Sequence, residues 1–208
     1  MNDKRGVNYL NKNTRPQLPD DRSALIIVDV QNDFLPGGSL AVPDGDAVIA
    51  PLNRAIALFA ARGLPVVATR DWHPADHCSF TEQGGIWPPH CVQDTAGARF
   101  GPGLELPDDV IVISKADTKD RDAYSGFEGT DLAERLYELK VSSLVVGGLA
   151  TDYCVLNTVR DALSHGFDVY VLEDAIRAVD VKPGDAERAV RDMQDAGAGF
   201  IHVGDLSG

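Results

Sequence analysis

The chain has 208 residues, enough for one compact domain with a substantial core and short of the length at which chains usually divide. Apolar residues make up 44% and charged residues 25%, which excludes a disordered or collagen-like chain. The formal charge of −13, from 32 acidic against 19 basic side chains, repels phosphate backbones and anionic lipid and so argues against nucleic-acid and membrane partners.

Three cysteines with no CxxC spacing argue against a disulfide framework and for a reducing, cytoplasmic setting. No apolar run approaches the roughly 18 residues that a bilayer span needs. Residues 1–22 read as a polar arm without the apolar core of a secretory signal, and 23–208 as the folded domain. In chain order, "ALIIVDV" (24–30) is a β-branched run typical of a strand buried on both faces. "DAVIAPLNRAIALFAARG" follows with apolar residues at helical spacing and Gly63 as a stop. "LPVVATR" (64–70) and "DVIVISK" (109–115) predict the second and third strands, and "DLAERLYELK" (131–140) a helix. "SSLVVGG" (142–148) predicts a fourth strand, and "TDYCVLNTVRDALSHG" (151–166) a helix ending at Gly166. "DVYVLED" (168–174), "DAERAVRDMQDAG" (185–197) and "GFIHVG" (199–204) complete the series as strand, helix and short strand. This alternation predicts a single-domain α/β fold: a three-layer α/β/α sandwich around a six-stranded, mainly parallel sheet.

Ligands of open parallel sheets bind beyond the carboxyl ends of the strands. Asp29 stands at that end of the first strand, Asp71 after the second, Lys115 at the end of the third and Cys154 in the first turn after the fourth. Each alone has an ordinary structural reading, and a lone cysteine is usually core. Together they place two carboxylates, an amine and a thiol in one crevice. Asp29 lies among apolar neighbours, where an unpaired charge is costly, so Lys115 is its expected partner. With Thr151 as the cap, Cys154 falls at the third helical position, where loose N–H groups favour an anion and lower the thiol pKa from about 8.5.

The irregular segment 71–108 carries Asp71, His73, His77 and His90, which holds three of the chain's five histidines behind one aspartate. That donor set suits one first-row divalent metal, with Zn, Fe(II), Mn and Co all compatible. Cys78 and Cys91 read as neighbours of the ligands rather than ligands. Phe34, Trp72, Trp87 and Tyr124 fall in loops on the same side of the sheet and suit a flat aromatic ligand.

These stretches resemble the isochorismatase-like cysteine hydrolases, and within them the nicotinamidase (pyrazinamidase) branch. The resemblance runs from Ala24 to about Val203 and rests on "ALIIVDVQNDFLPGGSLAV", "TRDWHPADHCSF", "WPPHCVQDTAGARF", "AYSGF" and "GLATDYCV". It implies a catalytic triad of Asp29, Lys115 and Cys154, and an oxyanion hole from the backbone N–H groups of Ala150 and Cys154 behind a cis peptide. It implies metal ligation by Asp71, His73, His77 and His90, and a ring pocket of Phe34, Trp87 and Tyr124. The implied reaction is hydrolysis of nicotinamide to nicotinate and ammonia through a Cys154 thioester, with the metal on the pyridine nitrogen. Partners then reduce to a small-molecule amide, nicotinamide with pyrazinamide as an analogue, and a homo-oligomer stays open. One departure is "SKAD", where family members commonly follow the lysine with glycine. The alternatives are a cysteine amidohydrolase of a carbamoyl compound, a hydrolase whose metal activates water with Cys154 structural, and a catalytically silent binding protein.

Overall fold

A computed structural model describes residues 18–207, so most of the polar arm, residues 1–17, lies outside the described residues. The six strands are β1 (Ser23–Val28), β2 (Val66–Asp71), β3 (Ile111–Lys115), β4 (Ser143–Leu149), β5 (Asp168–Arg177) and β6 (Gly199–Ile201). They form one sheet in the order β3-β2-β1-β4-β5-β6, and every pair is parallel, so the sheet is parallel throughout rather than mainly so. The helices are α1 (Ile49–Ala61), α2 (Leu132–Glu138), α3 (Leu156–Ser164) and α4 (Asp185–Asp195).

The period-two geometry of a strand explains the two cores. In β1, Leu25 and Ile27 point to one face and join Leu52, Ala55, Ile56 and Phe59 of α1. Ala24, Ile26 and Val28 point to the other, with Leu132 and Leu136 of α2, Val159 and Ala162 of α3 and Met193 of α4. All six β1 residues are buried, which is why the strand reads as a continuous apolar run rather than an alternating one.

The last strand stops at Ile201 rather than 204, with a 3-10 turn at Val203–Asp205, and a 3-10 turn at Gly45–Val48 precedes α1. Two further differences bear on the site. β5 continues three residues past Glu173-Asp174 to Arg177, because a register shift between Val146 and Gly148 lets Gly148 pair with Ile176 and the ladder resume. The segment after β4 does not start as an α-helix capped by Thr151. A π-helical turn, Thr151–Val155, comes first with Ala150 as its cap, and Cys154 is its fourth residue. Ala150 O accepts the N–H groups of both Tyr153 and Val155 at 3.1 Å, so the turn closes on Ala150 and α3 follows from Leu156.

Candidate active site

Successive strands step outward from β1 to β3 on one side and from β4 to β6 on the other, so the order reverses between β1 and β4. A crevice opens at such a switch point, beyond the carboxyl ends of its two strands. Asp29 is the first residue past β1, in the left-handed region at φ 48°. The neighbouring strand approaches so closely that a Cβ on Gly148 would stand 2.1 Å from Val28 O, and Gly148 itself has φ +127°. Only glycine meets both conditions. The Leu149–Ala150 peptide is cis, as the resemblance implies, and Ala150 and Cys154 both face the cavity beyond.

Lys115 is the hub. Its Nζ lies 3.0 Å from Asp29 Oδ2, donates to Asp71 Oδ1, and reaches Ala123 O at 3.2 Å and Cys154 Sγ at 3.4 Å. Asp71 and Lys115 are direct partners in the β2–β3 register, which brings the second carboxylate to the ammonium. Thr69 Oγ1 donates to Asp29 Oδ1 at 2.7 Å and fixes the carboxylate's orientation. Asp29 Oδ2, although beside Nζ, has no well-aligned hydrogen bond among the described residues. The acceptor and donor atoms of Asp29, Asp71 and Cys154 all lie within 4.8 Å of one another.

Burial decides the proton affinities here. It raises the Asp29 carboxyl, and the charge of Asp71 adds to the rise, while Lys115 and Thr69 offset only part. Burial would raise Asp71 too, but Lys115, His73 and His90 outweigh it and hold Asp71 below its ordinary value. Burial would lower Lys115, but Asp29, Asp71 and Cys154 lift it well above an ordinary lysine. Cys154 departs from the sequence expectation. Its burial pushes the thiol well above the usual range, Lys115 offsets part of that, and the two carboxylates raise it further. These directions favour a thiol on Cys154, beside the Asp29 carboxyl group, with Lys115 cationic and Asp71 anionic.

The metal candidates divide. Donor atoms of Asp71, His73 and His90 fall within 4.8 Å of one another. His73 Nδ1 contacts His90 O at 3.0 Å and His90 Nδ1 contacts Pro88 O at 2.8 Å. Each ring thus turns Nε2 toward Asp71, at 3.9 and 4.0 Å. Anchoring one ring nitrogen on a backbone carbonyl fixes the tautomer that a ligand needs. Burial lowers His73 to about 4, so it is a neutral imidazole at physiological pH. These residues fit a divalent ion. His77 does not join them: Ser79 N–H donates to its Nδ1 at 3.3 Å, and its Nε2 lies 3.1 Å from Arg121 O. Its ring stacks on His73 at 4.4 Å, and its donors group instead with His73 and Asp122. Neither Cys78 nor Cys91 enters a donor group among the described residues. Cys91 is buried, with its N–H donated to Asp33 Oδ2 at 2.7 Å.

Beside Asp71, His90 and Cys154 a cavity with about 370 Å³ of empty space, part of it open to solvent, is walled by Phe34, Leu40, Val42, Trp87, Tyr124, Tyr153 and Val179. Trp87 Nε1 donates to Tyr124 Oη at 2.9 Å, and the Trp87 and Tyr153 rings meet edge to face at 5.2 Å. Trp72 is not part of this group; it packs against the α1-side core under the Arg70 guanidinium. Sequence reasoning missed Tyr153, Val179, Thr69 and Gln31. Gln31 grips the Asp71 backbone from both sides, donating Nε2 to Asp71 O and accepting Asp71 N–H on Oε1, each at 2.8 Å. Its signal was a polar residue directly behind the apolar run 24–30. The SKAD departure has a structural counterpart, since Ala116 sits at φ 51°, a conformation that suits glycine.

Residues 23–205 match the family model described as Isochorismatase domain. The chain is 40% identical over 203 residues to a nicotinamidase of Escherichia coli (strain K12), covering 88% of this chain and 95% of that one. A crystal structure of the pyrazinamidase of Pyrococcus horikoshii in complex with zinc is 51% identical, with a TM-score of 0.84 over 87% of this chain and 99% of that chain. PnC1 of L. infantum in complex with nicotinate is 38% identical, with a TM-score of 0.83 over 90% of this chain and 96% of that chain. The chain belongs to the isochorismatase-domain family.

Proposed function

We propose that the protein is a nicotinamidase, which hydrolyses nicotinamide to nicotinate and ammonia with Cys154 as nucleophile. The observation that carries this reading is the contact of Lys115 with Asp29, Asp71 and Cys154 at the base of an aromatic-walled cavity. The similarity to a nicotinamidase and to a nicotinate-bound protein supports the choice of substrate.

In this reading Asp29 Oδ2 takes the thiol proton as Sγ attacks the carboxamide carbon, so no standing thiolate is needed. The raised affinity of Asp29 for a proton matches that task. Lys115 keeps the two carboxylates compatible in a dry site and holds Sγ in place. Backbone N–H groups of Ala150 and Cys154 receive the developing oxyanion. The proton held by Asp29 passes to the departing nitrogen, ammonia leaves, and water cleaves the thioester with Asp29 again as base. Phe34, Trp87, Tyr124 and Tyr153 hold the ring flat.

Asp71, His73 and His90 would hold one divalent ion, and zinc is favoured by the zinc-bound relative. When bound, it supplies a Lewis-acid site for the ring nitrogen. His77 enters this shell only by giving up Arg121 O. The test is ammonia release from nicotinamide by the protein as purified, after chelation, and after add-back of zinc, Fe(II) or Mn. Release restored by one of these ions supports the reading, and no release under any metal condition overturns it.

A further inference from the structure

Asp152 lies two residues before Cys154 in the same turn, yet its side chain takes no part in walling the cavity. It reaches instead to the segment after β5. Its Oδ1 accepts Val179 N–H at 3.0 Å and its Oδ2 accepts Asp180 N–H at 2.8 Å. Both N–H groups lie past Arg177, the last residue of β5, so sheet pairing does not fix them. Farther along, Asp180 Oδ1 accepts Ala186 N–H at 3.1 Å and Asp185 Oδ2 accepts Lys182 N–H at 2.8 Å, which ties the far end of the segment to the start of α4. Val179 is a wall of the cavity, while Val181, two residues on, is 59% exposed. The backbone of the near end is therefore held by one carboxylate through two charge-assisted bonds, while the Val179 side chain packs on the α1-side core.

We propose that Asp152 is a positioning residue that fixes the Val179 wall relative to Cys154 and so sets how closely the site fits a flat ring. The proposal rests on the nicotinamidase reading. Because the Asp152 carboxylate bonds to Val179 and Asp180 rather than to Cys154, Lys115 or Asp29, its loss acts on fit rather than on proton transfer. Asp152 and Cys154 share one turn, so a wall anchored on Asp152 keeps a fixed spacing from the nucleophile.

The test compares wild type with Asp152→Ala, Asp152→Asn and Val179→Ala, using nicotinamide and a ring-methylated nicotinamide, with amide hydrogen exchange read at the same time. Removing both bonds in Asp152→Ala raises KM for nicotinamide about tenfold with kcat within about threefold, the pattern of lost binding rather than lost transition-state contact. Asp152→Asn, which keeps one acceptor, falls between. The Val179 and Asp180 amides exchange at least about tenfold faster in Asp152→Ala, while β1 and β4 amides do not change. Preference for nicotinamide over the methylated analogue narrows in Asp152→Ala and in Val179→Ala, but Val179→Ala leaves Asp180 exchange as it was. An unchanged KM in both Asp152 variants, a fall in kcat with KM fixed, or unaltered exchange at 179 and 180 overturns the proposal. Should Asp152→Ala fail to fold, Asp152→Asn carries the same readouts. A wild type that releases no ammonia overturns the nicotinamidase reading instead, and the exchange data then decide whether Asp152 holds the 179–180 segment.

Discussion

Replacing Lys115 with Met tests the hub of the site. Lys115 and Asp29 side chains are fully buried and 3.0 Å apart, and Asp71 contacts the same ammonium. At 3.0 Å and an effective dielectric of about 20, the Asp29 attraction alone is about 5–6 kcal/mol. Part of that is offset because Met carries no charge to desolvate, and removing one partner of a buried pair costs about 3–5 kcal/mol in practice. For a chain of this size such a loss lowers Tm by roughly 6–20 °C. The deficit comes from two carboxylates left without a cation, so Lys115→Met/Asp29→Asn recovers about 1–3 kcal/mol of it, although it removes more of the native polar network. The pH dependence has a definite sign. Without the ammonium, folded carboxylates bind protons more tightly than unfolded ones, so the deficit shrinks as pH falls and grows as pH rises. Thermal and urea unfolding with chelator present measure all three quantities. A Lys115→Met cost below about 1 kcal/mol, or a double variant less stable than the single one, would refute the reasoning.

Other expectations follow from single features. Ala116→Gly relieves a left-handed residue at φ 51° and stabilises the fold by about 0.5–1 kcal/mol in urea titration, whereas no gain would mean that the local strain is negligible. Gly148→Ala meets Val28 O at 2.1 Å and costs about 2–4 kcal/mol; wild-type stability would contradict the close approach of β1 and β4. With Asp29 as the proposed base and its proton affinity raised by burial, the acid limb of kcat/KM is expected above the ordinary aspartate range, and a midpoint at or below that range would remove Asp29 from the role. Equilibrium zinc binding falls at least about 100-fold in His90→Ala and less than about tenfold in His77→Ala, and equal losses would place His77 among the ligands.

The strands were legible because each is an apolar, β-branched run, and a sheet buried on both faces needs nothing else from them. The same runs carried the positions of Asp29, Lys115 and Cys154 at the strand ends. What lay out of reach depends on pairing. Asp71 reads as a metal ligand in the sequence, and only the β2–β3 register makes it a partner of Lys115 as well. Thr151 has the residue type of a cap, but the turn closes on Ala150, so the placement of Cys154 shifts by one. The direction of the thiol's proton affinity followed the same course: a helix start argues for lowering, yet burial and two nearby carboxylates win. Tyr153 and Val179 reach the cavity from segments whose sequence carries no signal for it, and the histidine count of the loop does not reveal that His77 is taken up by Arg121 O.

With Cys154 as the proposed nucleophile, a thioester forms on its Sγ during turnover. Acid-quenched turnover of nicotinamide, followed by peptide mass analysis, tests it most directly. A nicotinoyl adduct is expected on the peptide containing Cys154 during turnover, with its loss once substrate is exhausted, and neither adduct nor ammonia with Cys154→Ala. Undiminished ammonia release by Cys154→Ala would contradict it and leave the metal as the source of the nucleophile.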